Sequence, residues 1–158
     1  DLRGPALRVG DKAPVAEVVD VSLAPVKIGG PSDKVRIFSA VPSLDTSVCD
    51  IETRRFNAEA GKQPGIAIET ISVDLPMAQK RWCGAAGVSA VRTLSDHRAT
   101  AFGDAYGVTI ASGPLTRFLA RAVFVVDRAG ILRHVEYVPD ITQEPAYDAI
   151  LAAARSAS

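Results

Sequence analysis

Two cysteines define what chemistry this chain can do, and the first lies in the frame Pro42-Ser-Leu-Asp-Thr46-Ser-Val-Cys49. An unperturbed thiol is only a few per cent thiolate at neutral pH, and the thiolate is the nucleophile, so a reactive cysteine needs a setting that stabilises the anion. The frame follows an apolar, strand-like run (Val35, Ile37, Phe38, Ala40, Val41) and opens a helical pattern with apolar residues at Val48, Ile51, Phe56 and Ala60. Asp45, Thr46 and Ser47 are helix-capping types, which puts Cys49 in the first helical turn. There the unpaired backbone N–H groups and the positive end of the helix dipole favour a negative sulfur, and a negative oxygen beside it. Pro42 has no N–H and holds the turn in shape. The Thr46 hydroxyl, three residues before Cys49, can reach the sulfur or a substrate oxygen. Taken alone, the frame suits an inert buried thiol with Thr46 as a simple cap equally well.

The second cysteine lies in Ser72-Val-Asp-Leu-Pro-Met-Ala-Gln-Lys-Arg-Trp-Cys-Gly-Ala-Ala-Gly87. With the first frame, this string resembles the thiol peroxidase branch of the peroxiredoxins, the atypical two-cysteine kind. Phe102-Gly-Asp-Ala-Tyr-Gly-Val108, Gly113-Pro-Leu115, Ala120-Arg-Ala-Val123 and Ile141-Thr-Gln-Glu-Pro-Ala-Tyr147 are similar to the same family in the same order. The resemblance implies Cys49 as the peroxidatic cysteine, Cys83 as the resolving cysteine, and Pro42, Thr46 and Arg121 as members of the pocket. Arg121 precedes a very apolar strand, Ala122 to Val126, from which a fixed guanidinium could face the helix N-terminus and donate to both peroxide oxygens. The chain has thirteen arginines, so the resemblance, not the chemistry, singles this one out. Arg54, Arg55 and Arg81 read as helix-surface charges.

The implied activity is reduction of hydrogen peroxide and organic hydroperoxides through a sulfenic acid at Cys49. An intramolecular Cys49–Cys83 disulfide follows, recycled by thioredoxin, with neither metal nor organic cofactor. The resemblance also implies a homodimer whose interface lies near the site. Both cysteines read as helical, so if the reduced fold keeps their alpha carbons farther apart than about 7 Å, local unwinding must precede the bond. Gly84 and Gly87 are plausible places for it. Trp82 could shield the neighbouring thiol.

Other readings of the pair are weaker. A structural disulfide would suit an exported protein. Zinc held by Cys49, Cys83, His97 and His134 would lack any short chelating pair, and both histidines read as loop or strand surface. A thiol–disulfide exchange protein of the same fold would carry Cys-x-x-Cys, and Cys49-Asp-Ile-Glu52 lacks the second cysteine. A peroxide sensor could use the same two thiols with little turnover.

The rest of the chain must position these groups. Its 158 residues suit one domain, 1–158, able to bury about two-thirds of the unfolded surface. Eighteen basic and eighteen acidic side chains cancel, which argues against nucleic acid or an anionic membrane as partner. No apolar run approaches the roughly 20 residues of a membrane span. The chain opens at Asp1 with no signal-like stretch, which suggests a processed or trimmed start. Its opening segment looks short for the hairpin with which the family begins. A thiol enzyme needing reduction favours the cytoplasm.

Strand signals cover Val35 to Val41, Ile66 to Val73, Ala122 to Asp127 and Ile131 to Val138, the last two joined through Arg128-Ala-Gly130. Helical patterns cover Val48 to Lys62, Pro76 to Ala86, Ala99 to Tyr106 and Glu144 to Arg155, with Pro145 suited to a first turn. A βαβ start with a ββα finish predicts a thioredoxin-like α/β fold, a central mixed sheet flanked by helices. In such sheets reactive residues gather where strands end and helices begin, as Pro42 to Cys49 does.

Overall fold

The computed structural model describes residues 1–157. Its core element is β4 (Val35–Ala40), buried along its whole length. It pairs in parallel with β5 (Ile66–Ser72) and antiparallel with β8 (Ala122–Val126). Beyond β5 lies β6 (Arg92–Ser95), parallel to it, and beyond β8 the antiparallel β9 (Leu132–Tyr137). A hairpin of β2 (Ala16–Val19) and β3 (Pro25–Ile28) completes a seven-stranded mixed sheet in the order β3-β2-β6-β5-β4-β8-β9. A separate two-stranded pair joins β1 (Leu2–Arg3) to β7 (Thr109–Ile110).

Alternation along the strands sends side chains into two cores. Val35 and Ile37 of β4, with Ile66, Ile68, Val123 and Val125, pack beneath α1 (Ser47–Ala60) and α4 (Tyr147–Ala157), where Phe56, Ile150 and Ala154 meet them. Phe38 and Ala40 face the opposite way, into an aromatic core with Phe102 and Tyr106 of α3 (Ala101–Tyr106) and with Phe124. The remaining helix is α2 (Pro76–Ala86), with Pro76 in its first turn as expected.

The final helix begins at Tyr147, not near Glu144, and Pro145 lies ahead of it. The Glu136 carboxylate of β9 accepts the Ala146 N–H, tying the chain to the sheet just before the helix starts. The third helix likewise starts at Ala101, because Thr100 takes a left-handed conformation, φ 50°. The Asp96 carboxylate then accepts the buried first-turn N–H groups of Phe102 and Gly103. The strands β2, β3 and β6 gave no clear sequence signal: each has four residues, too few for a periodic pattern to stand out.

Candidate active site

The segment from Val41 to Thr46 links the end of β4 to α1 and is held by side chains from the next crossover. Asp74 accepts hydrogen bonds from Ser43 Oγ (2.7 Å), the Leu44 N–H (2.9 Å) and Ser72 Oγ (2.7 Å). Pro42 is buried in this turn. Thr46 is the N-cap residue, extended at φ −92° and ψ 146°, yet its side chain makes no capping bond. Its exposed hydroxyl donates instead to the Ser43 carbonyl at 3.0 Å, closing the turn and leaving the oxygen lone pairs uncommitted.

Cys49 is the third residue of α1 and fully buried, in a small cluster with Val41, Leu44 and the partly buried Trp82. Its carbonyl accepts the Thr53 hydroxyl at 2.8 Å. Because β8 runs antiparallel to β4, with Ala122 opposite Ala40, the residue just before β8 lies beside the start of α1. That residue is Arg121, and it is 1% exposed, no solvated cation. Its Nη2 donates to Cys49 Sγ at 3.1 Å. Nη1 donates to Glu52 Oε2 at 2.6 Å, while Nε and Nη2 both reach the Ile141 carbonyl, at 3.1 and 2.8 Å. Four contacts from three nitrogens fix the plane of the guanidinium, which faces the sulfur at the electropositive end of the helix.

Glu52 is the group that sequence reasoning missed. It stands one helical turn beyond Cys49 on the same buried face, at 0% exposure, and burial pushes its carboxyl up to about 7 despite the Arg121 charge. Its Oε1 and the Ser39 hydroxyl are both buried without a hydrogen-bond partner. A carboxylate at the third position after a cysteine, on the apolar face of a helix, was the available signal. Asp74 and the Ile141 carbonyl carried no comparable one, since their roles depend on the crossovers that bring them near.

Cys83 sits late in α2, half-buried, with Sγ 3.7 Å from Thr93 Oγ1 of β6. Burial raises its thiol above the usual range, with the Thr93 hydrogen bond opposing. Both cysteines are free. Thr93 and Arg121 belong to β6 and the start of β8, with β5 and β4 between them, so the two sulfurs are held from different strands of the sheet. Trp82 bridges the interval, packing against both the Cys49 cluster and the core beneath α1. Arg54, Arg55 and Arg81 are exposed on the helices. His97 Nδ1 pairs with Ser95 Oγ at 2.9 Å and His134 with Glu136 at 3.4 Å. Among the described residues no group of three His, Cys, Asp or Glu could hold a metal ion.

The chain resembles known proteins along nearly its whole length. Residues 8–151 match the Redoxin family model. The thiol peroxidase of Halalkalibacterium halodurans is 49% identical over 156 residues, covering 99% of this chain and 92% of that protein. The chain belongs to the thiol peroxidases of the redoxin family. A thiol peroxidase of Bacillus subtilis is 47% identical, covering 98% of this chain and 91% of its own length. The peroxiredoxin-like protein of Aquifex aeolicus superposes with a TM-score of 0.95 at 42% identity, covering 99% of this chain and 91% of that one. The fold is therefore the thioredoxin-like fold of the peroxiredoxins, and the activity is thiol-dependent reduction of peroxides. No helix among the described residues is long and apolar enough to cross a membrane.

Proposed function

We propose that Cys49 is the peroxidatic cysteine, with Arg121, Thr46 and Pro42 as its pocket and Cys83 as the resolving cysteine. The observation that carries this reading is the 3.1 Å contact from Arg121 to the Cys49 sulfur at the start of α1. The Cys49 thiolate attacks the terminal oxygen of a hydroperoxide. The O–O bond breaks, the leaving oxygen departs as water or an alcohol with the peroxide's proton, and the sulfur becomes a sulfenate. Charge moves from sulfur to the leaving oxygen, and the fixed guanidinium stays close to both ends of that movement. Thr46 already donates its hydrogen to Ser43, so its oxygen accepts the peroxide O–H and orients the substrate. Pro42 holds the turn that carries it.

In the second step the Cys83 thiol attacks the protonated sulfenic acid, forming the Cys49–Cys83 disulfide and releasing water. A dithiol protein such as thioredoxin reduces that bond by exchange, becoming a disulfide itself. The hold of Thr93 on Cys83, two strands along the sheet from β4, supports local unwinding of α2 before the bond forms, with reduced and oxidised forms as distinct conformers. The exposed apolar side chains Ile51, Leu75 and Met77, at the starts of α1 and α2, support a homodimer formed near the site. The need for a reducing partner supports a cytoplasmic setting.

The deciding experiment is steady-state peroxide consumption with thioredoxin and its reductase, alongside mass analysis of the oxidised protein. Cys49→Ser is expected to lose turnover, and Cys83→Ser to reduce one equivalent of peroxide and stop. Recycling of Cys83→Ser by thioredoxin at the parent rate would refute the disulfide step.

A further inference from the structure

The C-terminal end of α2 is closed on the carbonyl of Cys83 itself. Gly87, in a left-handed conformation at φ 70°, donates its N–H to that carbonyl, and the Val88 N–H does so at 3.0 Å. Moving the Cys83 backbone out of α2 therefore means opening this cap. The chain beyond the cap is pinned to the other cysteine's helix. Asn57 Oδ1 of α1 accepts three consecutive backbone N–H groups, from Ser89 (3.2 Å), Ala90 (2.7 Å) and Val91 (3.2 Å). Three residues earlier on the same helix face, Arg54 is held by Asp50 at 3.1 Å. Its Nη1 donates to the Ala86 carbonyl at 3.3 Å, and its guanidinium lies 5.8 Å from the centre of the Trp82 ring.

We propose that Asn57 and Arg54 form a latch that sets how often the Cys83 segment opens, and therefore how fast the Cys49 sulfenic acid is resolved. The inference rests on the disulfide reading given above and adds the residues that govern its rate. Neither side chain touches the Cys49 sulfur; both act through the segment from Trp82 to Val91. Local opening draws on the free energy of the contacts it breaks. Three N–H groups converging on one amide oxygen, with a charged donor and a cation–π contact beside them, are contacts that opening must give up. While the latch is closed, Cys83 stays against Thr93 and the sulfenic acid waits for its thiol. A second peroxide molecule can then oxidise it to sulfinic acid, losing water or an alcohol, so the latch trades resolution against over-oxidation.

The test follows a single turnover of the reduced protein with excess hydrogen peroxide. Disulfide formation is timed by quenched-flow thiol counting and by the emission of Trp82, the one tryptophan in the chain. Asn57→Ala and Arg54→Ala are each expected to speed disulfide formation about five- to tenfold. Both should also lower the fraction of sulfinic acid at a given peroxide concentration, read by mass spectrometry. Sulfenate formation, measured in a Cys83→Ser background with a dione trap, should stay at the parent rate. Asn57→Asp keeps the acceptor oxygens and should return the parent resolution rate, which a general loss of folding would not allow. Arg54 is exposed, so its variant gives an independent reading if Asn57→Ala does not fold. Disulfide formation at the parent rate or slower in the Ala variants overturns the latch. If Cys83→Ser itself recycles normally, the disulfide reading fails instead, and the latch with it.

Discussion

Arg121 Nη2 lies 3.1 Å from Cys49 Sγ although the two residues are 72 positions apart in the chain. The same guanidinium pairs with Glu52, so one cation is shared between the sulfur and a buried carboxyl. The Ile141 carbonyl holds its remaining edge, which leaves the guanidinium little freedom to move; on the reading proposed above, it is preorganised for charge leaving the sulfur.

Removing Arg121 is expected to damage both rate and stability, by separable routes. Arg121→Ala should lower kcat/KM about 100- to 1000-fold. It should also destabilise the fold by about 3–5 kcal/mol, because Glu52 is left buried without its partner. Arg121→Met combined with Glu52→Gln removes both charges and should regain much of that stability in a denaturant titration, with no recovery of peroxidase activity.

Glu52 gives the stability of the protein a pH dependence of defined sign. Its folded value of about 7 stands above the ordinary 4.5 because burial outweighs the Arg121 charge. Between those values the native chain holds a proton that the unfolded chain has released, so stability falls as pH rises through the window. The contribution is complete below pH 4.5 and lost above about 7. Glu52→Gln should flatten denaturant midpoints measured from pH 5 to 7. Asp96, raised by burial to about 6, should leave a residual slope at the acid end of that range.

Asp74 links the Cys49 turn to the crossover that leads into α2. Asp74→Ala removes the acceptor for Ser43 Oγ, the Leu44 N–H and Ser72 Oγ together. A stability cost of about 1–3 kcal/mol is expected. A drop in kcat/KM of about tenfold should accompany it, as Pro42 and Thr46 lose their fixed position. Thermal melts and peroxide consumption on the same samples check both, and Asp74→Asn, which keeps one acceptor oxygen, should fall between.

The apolar side chains beside the site give a further expectation. Met77→Lys or Leu75→Glu places a charge on a surface that is 62% or 52% exposed in the single chain. If the homodimer forms there, either change should shift the protein toward monomer in light scattering at micromolar concentration. The melting temperature of the single chain should change little.

Much of this molecule was legible in its residues, for local reasons. The buried run of β4, the helical pattern that places Cys49 in the first turn of α1, Pro76 at the start of α2 and the Arg128-Ala-Gly130 connection each depend on neighbours a few positions away. Their physics is written into short windows of sequence. The four-residue strands were not legible, and neither was the true start of α4, because they depend on partners across the sheet and on the Glu136 carboxylate.

Local sequence determined that Cys49 would stand at the electropositive start of a helix, since hydrophobic periodicity is set within a few turns of chain. Only the tertiary structure decided which of thirteen arginines would reach it. It did so because β8 runs antiparallel to β4 and delivers Arg121 to the point where α1 begins. It also decided that Glu52 would be enclosed with that cation and that Cys83 would be held two strands away. Burial and strand order arise from contacts between distant segments, and no window of the chain encodes them alone.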